Sequence, residues 1–423
     1  MTKNRHDFEQ MDAHDPLRSL KKQFVLPPGI IYLDGNSLGA MPLDAVERCR
    51  QVVEDEWGVG LIRSWNDAHW IELPTRIGDK IARLVGAGNG EVVVADSTSL
   101  NLYKVLSAAL QLVPEGRRLI VSERENFPTD LYIAESLARQ HGFTLKLFDS
   151  PAELPGLIND QLGVLMLTQV NYRSGLIHDM QALTAQAHAV GALTVWDLAH
   201  SAGAIPVDLI GANADFAVGC GYKYLNGGPG APAFVWVNPR HADKFWQPLS
   251  GWLGHEAPFA FTHDYKPAPG IKRYICGTPP VISLATLECG VDTLLAAEKF
   301  GGMAALREKS LGLSTAFIGL VDERLVELGA RVESPRNPAL RGSQVSLSIA
   351  EEMSVDTYAV MQALIARGVI GDYRAGQPNL LRFGFTPLYL GFAEVWDAVE
   401  HLHQVLSTKE WEEPRFQKQG AVT

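Results

Sequence analysis

Between about residues 90 and 240, short unbroken apolar runs alternate with amphipathic stretches, and this alternation constrains the fold more than any other feature of the chain. Glu91–Ala95, Arg118–Ser122, Thr144–Phe148, Val164–Thr168, Ala192–Asp197, Phe216–Cys220 and Ala233–Val237 read as strands. Most lack the polar alternation of a half-solvated strand, so both faces of their sheet are expected to be covered. Between them lie helices. Leu102, Val105, Leu106, Ala109 and Val113 recur at the spacing of one buried helical face. A second helix is expected near Asp130–Gln140, with Gly142 placed to stop it. Strand–helix alternation of this kind predicts an α/β fold with a mostly parallel sheet, and ligands outside the carboxyl ends of its strands.

After about residue 285 the pattern changes. A long helical region over Ile282–Leu328 leads to a strand at Gln344–Ser348 and a helix at Tyr358–Arg367, stopped by Gly368. Strand-like runs at Val369–Tyr373 and Leu380–Phe385 and a helix at Ala393–Leu406 follow. These form a smaller α+β unit. The expected division is a large domain over 51–289, and a small domain over 290–423 joined by residues 1–50. Lys409–Thr423 is mostly polar and is expected to be loosely held.

Charge narrows the functions open to such a fold. With 37 basic against 48 acidic residues the net charge is −11, which argues against a nucleic-acid or anionic-membrane surface. The four cysteines form no CxxC pair, as suits a reducing compartment. No run of about 18 apolar residues offers a membrane span, and Met1–Leu20 has no apolar core of a secretory signal. A cytoplasmic location is expected.

The segments bearing chemistry are Trp196–His200 and Gly219–Gly230. Asp197 ends one apolar run, and Lys223 follows the end of the next. Neighbouring parallel strands would bring both to one sheet edge. There a lysine can hold an aldehyde covalently while a carboxylate keeps a pyridine nitrogen protonated, the pair that pyridoxal phosphate requires. Partial desolvation would help the amine lose its proton. Either residue alone is more often a helix cap or a surface charge. However, Lys223 lies in a glycine-rich, aromatic-flanked segment that a solvated lysine does not need. Ser97, Thr98 and Ser99 open a helix after a strand and could receive a phosphate, or could simply cap it. Phe127–Asp130 offers a ring to stack on a cofactor and a second acid, and reads equally well as a proline-initiated helix start.

Five segments in order carry a more specific likeness: Leu33–Gly39 (LDGNSLG), Asn126–Asp130 (NFPTD), Trp196–His200 (WDLAH), Tyr222–Gly230 (YKYLNGGPG) and Arg382–Tyr389 (RFGFTPLY). From about Leu26 to Leu406 the chain resembles the kynureninases, pyridoxal-phosphate enzymes of the aspartate-aminotransferase superfamily (fold type I). The resemblance implies pyridoxal 5′-phosphate held by Lys223, with Asp197 at its ring nitrogen. Thr98, Ser99, Phe127 and Thr129 would line the cofactor together with Asp130, Thr168, His200 and Tyr222. Trp252 and Thr278 match positions that reach the phosphate from a neighbouring subunit, so a homodimer is implied. Arg382 matches the residue that grips the substrate α-carboxylate; otherwise it would read as a surface arginine on an edge strand. Trp65, Gly277 and Thr278 would wall the slot for the substrate's aryl group. The implied reaction is hydrolytic Cβ–Cγ cleavage of L-kynurenine to anthranilate and L-alanine, in tryptophan catabolism, with 3-hydroxykynurenine left open. In it Lys223 serves as general base and Tyr222 in proton transfer.

Other readings are weaker. A cysteine desulfurase typically has His, not Tyr222, before the lysine and needs a cysteine on a mobile loop; an aminotransferase is the other alternative within the superfamily. Gly35–Gly39 matches the GxSxG elbow of serine hydrolases, but only 36 residues precede Ser37, too few for the strands that come before that elbow. No metal is expected. His401 and His403 do not share a helical face, and there is no HExxH.

Overall fold

The computed structural model describes residues 4–418 and 420. Three two-residue strands come first: β1 (Phe24–Val25), β2 (Ile31–Tyr32) and β3 (Met41–Pro42), with β1 antiparallel to β3. The apolar runs then form β4 (Val92–Val94), β5 (Leu119–Glu123), β6 (Thr144–Phe148), β7 (Leu162–Thr168), β8 (Leu193–Asp197), β9 (Phe216–Gly219) and β10 (Phe234–Val237). They build one seven-stranded sheet in the order β4-β10-β9-β8-β7-β5-β6. Only β10 runs against the others, pairing antiparallel with both β4 and β9. The fold is therefore α/β with a mostly parallel sheet, as the alternation predicts. Every residue of β4, β7, β9 and β10 is buried, which is why these strands read as continuous apolar runs.

The second sheet is antiparallel, in the order β11 (Ala330–Val332), β12 (Gln344–Ile349), β15 (Leu380–Gly384), β14 (Asp372–Arg374). The amino-terminal arm packs here: β2 pairs in parallel with β13 (Val369–Ile370), and Phe8 on helix Arg5–Ala13 meets Trp396 at 5.4 Å.

Three expectations need correction, and one alternative falls. The run Val369–Tyr373 is not one strand; it changes partners at Gly371, from β2 to β15. The helical region over Ile282–Leu328 is two helices, Val281–Leu295 and Gly302–Arg324. Where the second helix begins, Gly301 and Gly302 take φ of +108° and +62°, in the left-handed region that breaks a helix. Arg382 lies on β15, an inner strand, and is 1% exposed, which excludes the surface-edge alternative to its carboxylate role. The carboxyl-terminal segment is not loose up to residue 418. Trp411 and Phe416 are buried in the core and Arg367 Nε donates to Glu410 at 2.7 Å. Two buried aromatics, at about 1.5–3 kcal/mol each, outweigh the polar character of the rest.

Candidate active site

The carboxyl ends of β4, β5, β7, β8 and β9 meet at one pocket. Thr98 and Ser99 enter it from the start of helix Thr98–Leu112, whose N-cap Ser97 accepts from Leu100 N at 3.3 Å. Phe127, Thr129 and Asp130 line it from the start of helix Pro128–His141. Thr168 ends β7, Asp197 ends β8, and His200, Tyr222 and Lys223 come from the following loops. All the residues expected around the cofactor within one chain are thus brought together. Tyr172 and Ala199 also line the pocket and were not anticipated. Tyr172 lies four residues beyond Thr168, so its place past a strand end was the available signal; its ring meets Phe127 edge-on at 5.4 Å.

Pairing of β8 with β9 sets the central geometry, because Asp197 sits opposite Val218 and both chains then leave the sheet together. Lys223 is held from behind by the amino-terminal arm. Gly39 N donates to Tyr222 O at 2.8 Å, and a Cβ at Gly39 would lie 2.5 Å from Lys223 O, so only glycine allows this approach. Lys223 Nζ lies 2.8 Å from His200 Nε2 and 5.9 Å from the Phe127 ring centroid.

The electrostatics of the pocket are unbalanced. Burial pushes the carboxyl groups of Asp197 and Asp130 above the ordinary range, although Lys223 opposes this for both. Asp197 Oδ1 accepts from Ala199 N at 2.8 Å, whereas Asp130 Oδ2 and Thr98 Oγ1 are buried with no partner among the described residues. Burial also holds the His200 imidazole well below its usual value, with the charge of Lys223 acting in the same direction. Burial pushes the Tyr222 phenol up to about 12.

Arg382 stands just beyond this pocket. Its Nη1 donates to Tyr172 O at 2.6 Å, its Nη2 to Ser37 Oγ at 2.9 Å, and its Nε to Asp372 Oδ1 at 2.9 Å. Ser37 also donates to Asp372 Oδ2 at 2.7 Å. Among the described residues no histidine bonds to Ser37, so the GxSxG match has no general base and is a polar contact within an arginine–aspartate cluster. The remaining expected residues lie elsewhere. Trp65 packs edge-on against Trp70 at 6.0 Å, Trp252 is 38% exposed beside Phe259 and Phe261, and Thr278 is exposed next to Gly277. None of the four lines the pocket of its own chain.

None of the four cysteines lines the pocket either. Cys220, the nearest in sequence to Lys223, is buried with its thiol pushed up by desolvation, which makes it a poor nucleophile.

A family model described as the kynureninase C-terminal domain matches residues 306–402. The chain is 56% identical to kynureninase of Pseudomonas fluorescens over 425 residues, covering 99% of each protein. It is 53% identical to kynureninase of Burkholderia pseudomallei (strain K96243) over 426 residues, covering 100% of each. The chain belongs to the kynureninase family. It is an enzyme of that activity, the hydrolysis of kynurenine, and its cofactor is pyridoxal 5′-phosphate. Among solved structures it resembles the cysteine desulfurase of Thermococcus onnurineus NA1 (TM-score 0.76, 21% identity), covering 92% of this chain and 98% of that one. That likeness concerns the fold alone.

The residues present fit this cofactor. The unpartnered Thr98 hydroxyl beside a helix N-terminus suits a phosphate. The buried carboxyl pair forms no ion pair among the described residues, which leaves a place for a protonated pyridine, and Lys223 supplies the amine.

Proposed function

We propose that Lys223, Asp197, Tyr222 and Arg382 carry the hydrolysis of L-kynurenine to anthranilate and L-alanine in this chain. The observation behind this reading is that Lys223, Asp197 and Asp130 share one desolvated pocket at the carboxyl edge of the sheet. Pyridoxal phosphate, when bound, supplies an electron-accepting ring conjugated to the substrate's α-carbon. Asp197 would hold the ring nitrogen's proton, and Thr98, Ser99 and Thr129 would meet the phosphate. Phe127 and Tyr172 form an aromatic wall on one side of the pocket. Lys223 would hold the cofactor through its amine and would move a proton at the substrate's α-carbon. With its phenol held protonated at neutral pH, Tyr222 serves in proton transfer during hydration and product protonation. Arg382 grips the substrate α-carboxylate in its two-pronged geometry, in place of part of its bonding to Asp372.

The same reading makes the enzyme a cytoplasmic homodimer. Trp252 and Thr278 would complete the partner's site, with Trp65, Gly277 and Thr278 at the aryl slot. An apolar groove of about 960 Å³ supports such an interface; Met41, Val46 and Ile282 on its wall are each at least 40% exposed. It lies behind the Lys223 loop and holds no cluster of catalytic side chains. We take the chain to divide into a large domain over 51–289 and a small one formed by 290–423 with 1–50.

The test is turnover by the loaded enzyme, with anthranilate followed by fluorescence and alanine by amino-acid analysis. Equal amounts of both from kynurenine, and no sulfide from cysteine, are expected. Sulfide release with kynurenine left intact would overturn the assignment.

A further inference from the structure

Gln344 opens β12 in the antiparallel sheet, yet its side chain bonds to His200 and Tyr172, which line the cofactor pocket built on the other sheet. It is 0% exposed. Its Nε2 lies 2.8 Å from Tyr172 O and 3.3 Å from Asn171 O. Both are carbonyls and can only accept, so this end of the amide must be the NH2 group. The opposite end, Oε1, is therefore an acceptor, and it faces His200 Nδ1 at 3.2 Å. That nitrogen must carry hydrogen. His200 is itself buried, and the charged groups acting on it are the cations Lys223, Arg382 and Arg374. A neutral ring protonated on Nδ1 leaves Nε2 bare, and Nε2 is the atom 2.8 Å from Lys223 Nζ.

We propose that Gln344 is a positioning residue that fixes the Nδ1–H tautomer of His200 and thereby keeps Nε2 an acceptor for the Lys223 ammonium. The proposal deepens the reading of Lys223 as the cofactor-bearing amine and rests on it. The other tautomer would set an N–H against the N–H bonds of Lys223 and leave two acceptors, Nδ1 and Oε1, facing each other. Glutamine suits the position because it combines a donor and an acceptor at the end of a side chain of this reach. Glutamate would turn an oxygen toward two carbonyls. The same amide also links the two halves of the site. Tyr172 O, which accepts from Gln344, accepts from Arg382 Nη1 at 2.6 Å as well, so cofactor histidine and carboxylate arginine are set by one shared carbonyl.

The tautomer can be read directly. In the full-length protein labelled with ¹⁵N-histidine, proton–nitrogen correlation spectra distinguish the two ring nitrogens, and His200→Asn identifies the signal that belongs to His200. Before cofactor is added, the unmodified protein is expected to show His200 protonated on Nδ1 and bare on Nε2 throughout neutral pH. In Gln344→Leu the signal should move to the Nε2–H form or to a mixture. In Gln344→Glu the carboxylate should draw a second proton onto the ring. The pH at which the loaded enzyme's visible absorbance changes should then shift by about one unit, as expected for an added charge at this range. An Nε2–H signal in the unmodified protein overturns the proposal whether or not the variants fold. A His200 signal unchanged in both folded variants overturns it equally. Should chemical trapping place the cofactor on another lysine while His200 keeps the expected tautomer, the reading of Lys223 fails and the Gln344–His200 relation stands.

Discussion

At the amino-terminal edge of the seven-stranded sheet, Asp215 lies just before β9 and is ringed by donors. His188 Nε2 (2.7 Å), Thr194 N (2.8 Å), His241 Nε2 (2.8 Å) and the Arg240 guanidinium all point at its carboxylate. At the carboxyl edge of neighbouring strand β8, Asp197 shares a pocket with Asp130, whose Oδ2 has no partner. Both edges bury acids, with opposite results. Burial raises Asp215, but the hydrogen bonds from His188, His241 and Arg240 outweigh it and hold the group well below the usual carboxylate range. For Asp197 and Asp130 desolvation prevails and the groups are pushed up. A satisfied acid stabilises the fold, whereas an unsatisfied one holds a place for a ligand that supplies the missing partner.

Four substitutions separate the two edges. Asp197→Ala should lower kcat about 10³-fold, because the charge that stabilises the protonated ring is lost. Steady-state kinetics with saturating cofactor measures this, and a loss under tenfold would remove Asp197 from the role. Asp215→Asn should cost about 3–5 kcal/mol of stability by breaking a buried network, while the fraction that remains folded keeps its kcat. Denaturant titration checks the first and active-site-normalised rates the second. A variant with intact stability and impaired turnover would invert the comparison. Arg382→Ala should raise KM for kynurenine about 100-fold, in line with a lost charged hydrogen-bond pair, with cofactor content unchanged. Ser37→Ala should stay within about tenfold of the parent rate, since it removes one hydrogen bond and no nucleophile. Abolished activity would reopen the hydrolase reading.

Acid should separate the two edges as well. Asp215 is depressed in the folded state, so its contribution is present above the unfolded carboxylate value of about 4 and fades as pH falls below it. Asp197 and Asp130 are raised, so the cofactor-free protein binds extra protons and loses stability as pH rises from that value. Cofactor should therefore raise Tm more at neutral pH than in mild acid, and calorimetry with and without it gives both slopes. An equal gain at both pH values would show that the carboxyl pair is not what the cofactor relieves.

Much of this was legible in the sequence because it depends on local order. The apolar runs gave the sheet, and the spacing of Asp197 and Lys223 gave the edge, since adjacent parallel strands deliver consecutive loops to one side. What was hidden depends on pairing between distant segments. The break at Gly371 follows from competition between β2 and β15 for one run, which no local pattern reveals. The inner place of Arg382 could not be read, because strand order within the second sheet is not written in any one strand. Gln344 gave no signal, sitting in an ordinary strand and acting on a histidine 144 positions away. Trp411 and Phe416 were masked by charged neighbours, although two aromatics in a short polar segment are themselves a hint of docking.

Borohydride trapping reads the covalent place of the cofactor. The loaded enzyme is reduced with borohydride, digested, and its peptides mapped by mass. The pyridoxyl mass is predicted on Lys223 alone, in the peptide carrying Tyr222 and Tyr224. Finding it on a different lysine, or finding no modified peptide in protein that turns kynurenine over, would contradict the account.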